Sequence, residues 1–148
     1  MPAEFAREVI DKCEFATLAT VDTEGKPYAV TLSIVRKGDH IYFHSATEGF
    51  KTDCMRAAPY VCMTFVGDTR RAERAFTTGY ESACIRGIAE EVISDEEKIE
   101  ALRLLCERHT PSNMAAFDQA VKASLKRTAV WRVTITEISG KRKVLRSE

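Results

Sequence analysis

The sequence has no Cys-x-x-Cys pair, no long apolar run and no surplus of charge of either sign. Each absence closes off a class of function. The 22 Lys and Arg residues are balanced by 22 Asp and Glu, so bulk charge favours neither nucleic acid nor an anionic membrane surface as partner. No apolar stretch is long enough to cross a bilayer as a helix. The opening MPAEFAREVIDKCEF carries acids and lacks the apolar region of a secretory signal, so none is expected. The five cysteines (Cys13, Cys54, Cys62, Cys84, Cys106) are odd in number and widely spaced. Free thiols in a reducing cytoplasm suit them better than a disulfide framework. There is no GxGxxG, P-loop or GxSxG motif. His40, His44 and His109 lack metal-ligand spacing, because four residues of strand between His40 and His44 span roughly 13 Å. No metal site is expected.

What remains is ordinary globular composition. The 148 residues are 30% charged and 45% hydrophobic, enough for one domain over 1–148 with a core that needs neither disulfides nor metals. Residues 3–13 read as a short helix with Phe5, Val9 and Ile10 on one face. FATLATV reads as a strand, DTEGK as a turn, and PYAVTLSIVRK as a second strand. In that strand Tyr28, Val30, Leu32 and Ile34 alternate with residues that include Thr31 and Ser33, which predicts a core face and a small polar face. KGDH signals a tight hairpin. A helix is expected at about 49–58, strands at YVCMTFVG and YESACIRGIAEEVI, and a long loop at DTRRAERAFTTG. The SDEE capping box at Ser94–Glu97 introduces a further helix. Another is expected at about 114–126 and a last strand at TAVWRVTITEIS. Six strands with short helices favour an antiparallel barrel over a βαβ sheet.

The stretch IYFHSATEGFKTDCMRAAP carries the most chemistry. A strand runs through a Ser/Thr/Gly turn into a helix with an early lysine. A helix N-terminus offers free N–H groups and partial positive charge, which suits a phosphate. Ser45 and Thr47 add hydroxyls, Gly49 permits close approach, and Lys51 adds a full charge, while Glu48 opposes an anion unless it turns away. The alternative is a plain turn with a solvated lysine. His44, at the strand end, is a candidate for proton delivery or ligand contact. Cys84 alternates with Ser82 and Arg86 and so shares a face with polar groups, and its other role is packing. Trp131 reads as a ligand wall, a core residue or an interface residue.

The order FATLATVDTEGKPYAVTLSIV, IYFHSATEGFK, RAAPYVC, SACIRG and ISGK resembles the FMN-binding split-barrel superfamily. Its nearest likeness is to pyridoxamine 5′-phosphate oxidase-related proteins that include the nitroimidazole-resistance proteins. The resemblance covers about Phe15 to Lys141. It implies a mainly β fold with peripheral helices, a six-stranded antiparallel split barrel, and a homodimer with FMN at its interface. By position it implies that the phosphate-binding turn falls on His44, Ser45 and Lys51, and the strand beside the flavin ring on Val30, Thr31, Leu32 and Ser33. Further contacts are implied at Ser82, Cys84 and Trp131. The chain ends ISGKRKVLRSE, without the arginine-rich set and ending of the pyridoxamine phosphate oxidases, and has Phe50 where those carry arginine beside the lysine. The function implied is an FMN-dependent oxidoreductase that passes electrons from a small donor to a small nitroaromatic or quinone-like acceptor, with His44 as the proton-handling residue. The alternative is a non-catalytic flavin- or haem-binding protein of the same fold.

Overall fold

The computed structural model describes residues 2–146. Helix α1 (Ala3–Lys12) leads into β1 (Phe15–Val21), β2 (Pro27–Ser33), β3 (Val35–Lys37) and β4 (His40–Ala46). Helix α2 (Phe50–Ala57) precedes β5 (Tyr60–Arg71) and β6 (Thr78–Glu91). A helical layer follows, made of α3 (Asp95–His109), a 3-10 segment (Pro111–Ala116) and α4 (Phe117–Ser124), before β7 (Thr128–Lys143) closes the chain. The seven strands form one antiparallel sheet in the order β2-β1-β5-β6-β7-β4-β3.

The expected six strands are therefore seven, and the barrel is not closed by hydrogen bonds. PYAVTLSIVRK is not one strand. It breaks at Ile34, and its two halves are the opposite edges of the sheet. Ile34 is buried, so one apolar residue joins the two edges through the core. Half of the expected loop DTRRAERAFTTG is also strand. β5 and β6 continue past a register shift between Val66 and Thr69 as a long hairpin. Its alternation there is polar on both faces, which hid the strand from a hydrophobic pattern.

Alternation sorts the side chains into two cores. Leu18, Ile34, Ile41, Phe43, Met63, Phe65, Ile85, Trp131 and Val133 fill the rolled interior, and α1 packs Ala6, Val9 and Ile10 against it. Tyr42 and Val130 lie on the other face of β4 and β7, where Leu102 and Phe117 of the helical layer cover them. Two polar devices hold this layer. Ser94 caps α3 by accepting from the Glu97 N–H at 3.3 Å. Arg132 on β7 donates from Nη1 to both Glu97 carboxylate oxygens at 2.7 and 2.6 Å, and Tyr42 donates to Oε2 at 2.9 Å. The Arg132 hydrogen bonds hold Glu97 below the usual carboxylate range. Burial and the Glu97 contact push Tyr42 up to about 12. His109 donates from Nε2 to the Ile34 carbonyl at 2.8 Å and ties the end of α3 to the junction of the two edges.

The hairpin between β3 and β4 has Gly38 (φ 60°) as the first of its two loop residues, as a type II′ turn requires. Gly87 is needed for a different reason. A Cβ there would lie 2.5 Å from the Thr134 carbonyl oxygen and 2.7 Å from Val133 Cγ1. The register of β6 on β7 shifts at this residue. Gly87→Ala is expected to destabilise the fold by about 1–3 kcal/mol through overpacking against backbone that cannot move aside. Urea denaturation of the two proteins measures it.

Candidate functional site

The turn after β4 and the start of α2 meet β2 at the open edge of the sheet. Tyr28, Val30, Ser45, Ala46, Glu48, Gly49, Phe50, Lys51 and Thr52 surround a recess of about 170 Å³. Tyr28 and Phe50 meet edge to face, with ring centroids 4.7 Å apart, and fix the helix start against β2. Gly49 precedes the first turn of α2 and offers no side-chain cap, so the leading N–H groups of α2 have no side-chain acceptor there. Thr52 is buried beneath them.

The charges of the turn are sorted. Glu48 leans to Arg56, with Oε2 3.9 Å from Nη1. Arg56 also pairs with Glu91 at 2.9 Å and donates to the Thr47 carbonyl at 3.2 Å. Glu48 still lines the recess, and its long contact with Arg56 only partly offsets its charge there. Lys51 is half-buried and makes no ion pair among the described residues. The Ser45 hydroxyl donates to the Ala46 carbonyl at 2.8 Å. The free helix N–H groups, an unpaired ammonium and a nearby hydroxyl make a donor set that fits a phosphate.

His44 is adjacent, on the β4 face that looks toward the helical layer. It lines a second cavity of about 210 Å³ with Leu102, Cys106, Met114, Phe117 and Thr128 among its walls. His44 is exposed at the mouth of this cavity, and the atoms packed around the ring only partly desolvate it. That desolvation lowers its pKa below the ordinary imidazole value, and the positive charges of Lys51 and His109 add to the effect. A neutral ring at pH 7 keeps one donor and one acceptor nitrogen.

The remaining expected residues divide by strand parity. Val30 faces the turn recess. Leu32 belongs to the core, and Thr31 and Ser33 lie on the opposite, outer face. Contiguous strand residues cannot share one surface. Trp131 is 2% exposed among core residues, its Nε1 without a hydrogen-bond partner among the described residues. Its place is packing rather than a surface wall. Ser82 and Cys84 are on the outer face, far round the sheet from the turn in strand order.

On that outer face the register lines up Thr31, Thr17, Thr64, Cys84 and Ser139 across five strands. This row of small side chains, missed in the sequence because it needs the pairing register, is flanked by Phe15 (59% exposed), Val66 (66%) and Tyr60 (74%). Among the described residues no group of His, Cys, Asp and Glu is arranged to hold a metal, and no helix is long and apolar enough to cross a membrane.

An open antiparallel sheet rolled into a split barrel, with an anion-ready turn at its edge, defines the class. The chain belongs to the pyridoxamine 5′-phosphate oxidase family, whose pattern it matches over residues 2–142. No curated protein matches the sequence. Among solved structures, it is similar to a candidate 5-nitroimidazole antibiotic resistance protein from Bacteroides thetaiotaomicron, at 24% identity and TM-score 0.76, covering 93% of this chain and 81% of that one. A FAD-binding protein from Mesorhizobium loti is similar at 20% identity and TM-score 0.70, covering 97% and 96%. A FAD and haem binding protein from Mycobacterium smegmatis is similar at 24% identity and TM-score 0.77, covering 94% of this chain and 70% of that one. At these identities the likeness is one of fold.

The lowered His44 pKa has a consequence for stability. Between that value and the unfolded value near 6.5, the unfolded chain binds more protons than the folded one. Stability therefore rises with pH through this window and is lost as pH falls through it. His44→Gln is expected to flatten that part of the profile. Urea midpoints across pH 5 to 7.5 test this, and an unchanged slope would place the histidine in ordinary solvent.

Proposed function

We propose that this protein binds FMN, with the phosphate in the turn of Ser45–Thr52, and acts as a flavin oxidoreductase on a small acceptor such as a nitroaromatic or quinone. The observation that carries the reading is Lys51. It is a half-buried cation with no ion pair among the described residues, beside free helix N–H groups, and the neighbouring Glu48 reaches Arg56 at 3.9 Å. Family membership and flavin-binding neighbours of the same fold support it. Lys51 would neutralise the phosphate, and Ser45 would rotate from the Ala46 carbonyl to donate to it. Val30 would border the flavin from the turn side, with Thr31 and Ser33 reached round the edge of β2. The flavin, when bound, supplies the electron-transfer chemistry. His44, neutral at pH 7, holds a proton at one ring nitrogen next to the cavity under the helical layer.

The outer sheet face is the proposed seat of a second subunit. A turn at a sheet edge encloses little of a ligand by itself, and ligand sites are usually concave and largely enclosed. A two-fold partner on the Thr31–Ser139 row would complete the wall, bringing Ser82 and Cys84 into the assembly. Light scattering at micromolar concentration is expected to give about twice the 16.6 kDa chain mass. A stable flavin-loaded monomer would remove the partner from the site.

Lys51→Ala tests the turn directly. The substitution keeps helix propensity high. Losing a charge-assisted contact of roughly 1.5–3 kcal/mol corresponds to about 10- to 150-fold weaker FMN binding. Riboflavin, which has no phosphate, is expected to bind both proteins alike. Equal weakening of FMN and riboflavin, or unaltered FMN affinity in a fluorescence titration, sinks the assignment. A Soret band in place of flavin absorption in the freshly purified protein would turn the reading to haem.

A further inference from the structure

The cavity of about 210 Å³ under the helical layer is sorted by polarity. Its floor is apolar. Leu102 and Phe117 are buried there, and Met114 and Val121 are half-buried against the same cluster. Ala116 and Ala120, four positions apart, stand exposed on its rim. Larger side chains at either would close it. In a chain that is 30% charged, no Asp, Glu, Lys or Arg lines it. Arg103 lies over the Phe117 ring at 4.5 Å and pairs with Asp118, and neither is part of the wall. Lys51, whose charge reaches His44, lines the other recess. The polar groups gather at the mouth. The Thr110 and Ser124 hydroxyls are committed to the Cys106 and Ala120 carbonyls one turn back, at 3.2 and 2.9 Å. The side chains of His44, Asn113 and Thr128 make no hydrogen bond among the described residues.

We propose that this cavity binds a neutral single-ring phenol, with the ring on the Leu102–Phe117 floor and the hydroxyl at the mouth, where His44, Asn113 and Thr128 are free. Size sets the ring: a dry apolar cavity of about 150 Å³ accepts benzene, and this one leaves room for a small substituent. The walls set the charge. A carboxylate, phosphate or amine would leave water for a surface with no counter-charge, whereas a phenol, with a pKa of about 10, is neutral at pH 7. The mouth sets the substituent. A neutral imidazole has one donor and one acceptor nitrogen, and an amide offers both roles as well. A hydroxyl gives and takes a hydrogen bond and so suits both, while a nitro or ether oxygen only accepts. Displacing water from the floor supplies the affinity, and the hydroxyl supplies the selection. The cavity shares no lining residue with the turn recess, and none with the Thr31–Ser139 row that a second subunit would cover. The inference therefore does not rest on the flavin reading.

The test titrates p-cresol into the purified full chain with isotope-labelled methionine methyls, read by NMR. Met114 lines the cavity, whereas Met55 and Met63 belong to the other core. The Met114 methyl is expected to shift saturably and those of Met55 and Met63 to stay in place. Toluene, without the hydroxyl, is expected to bind about 2- to 10-fold more weakly, the worth of one net hydrogen bond. Benzoate is expected to leave the Met114 methyl unmoved. Ala120→Phe, which fills the cavity from its rim, is expected to abolish the cresol shift, with a dispersed amide spectrum showing that the fold is kept. His44→Leu is expected to bring cresol and toluene closer in affinity, a result that does not need the cavity to be filled. Lys51→Ala is expected to leave cresol binding unaltered, so this inference and the phosphate assignment fail separately. An unmoved Met114 methyl, equal affinity for cresol and toluene in the unaltered chain, benzoate binding as tightly as cresol, or a cresol shift that survives Ala120→Phe would each overturn the proposal.

Discussion

The register of β4 on β7 is the constraint on which the rest of the structure depends. Phe43 stands opposite Trp131, and Ile41 opposite Val133. All four side chains are buried in the rolled interior. Because strand side chains alternate, this pairing sends Tyr42 and His44 to the other face. A slip of one residue would put Tyr42 and His44 into the core and Phe43 under the helices. The large apolar area on the inner face makes that exchange prohibitive, so the position of His44 follows from packing that is not itself functional.

Once β4 is fixed, its end fixes the turn. The chain leaves Ala46, passes Gly49 and enters α2, whose start is clamped by Phe50 against Tyr28 of β2. That clamp brings a helix N-terminus, Lys51 and the edge strand into one recess. On the reverse side, Tyr42, Glu97 and Arg132 lock α3 onto the sheet and set the roof of the cavity at His44. The Arg132–Glu97 pair is partly buried and one nitrogen, Nη1, serves both carboxylate oxygens, an arrangement that favours orientation of the helix over net stabilisation. Two recesses thus flank one strand end, a charged one suited to an anion and a mostly apolar one open to a neutral imidazole.

The outer face obeys a different logic. Its side chains are small, hydroxylated or apolar, and few of its central positions carry charge. Such a face is neither a good solvent surface nor a core. Apolar groups at its margins, Phe15, Val66 and Tyr60, remain exposed. The close thiols of Cys62 and Cys84 sit in the same field of small residues, where nothing bulky separates them.

Much of this was legible in the sequence. Alternation in β2 gave the core face and the polar face, the SDEE box gave the start of α3, and the residue order of the Ser45–Lys51 turn gave the candidate anion site. These are local signals, set by the periodicity of strand and helix and by the chemistry of helix ends. Other features arise from pairing between distant segments, which no local pattern encodes. The break at Ile34 appears because the two halves of one apolar run serve opposite edges of the sheet. The outer end of the β5–β6 hairpin, beyond Val66, has no apolar face to announce it. Leu32 and Trp131 went to the core, since parity and register decide which of several adjacent residues face a surface. The approach of Glu48 to Arg56 and the meeting of Cys62 with Cys84 required side chains 8 and 22 positions apart to be brought together. The sequence determined most of the elements and the residue types of the turn. The tertiary structure alone decided which side chains share a face, because that depends on register, and register is settled by burying one whole face of every strand at once.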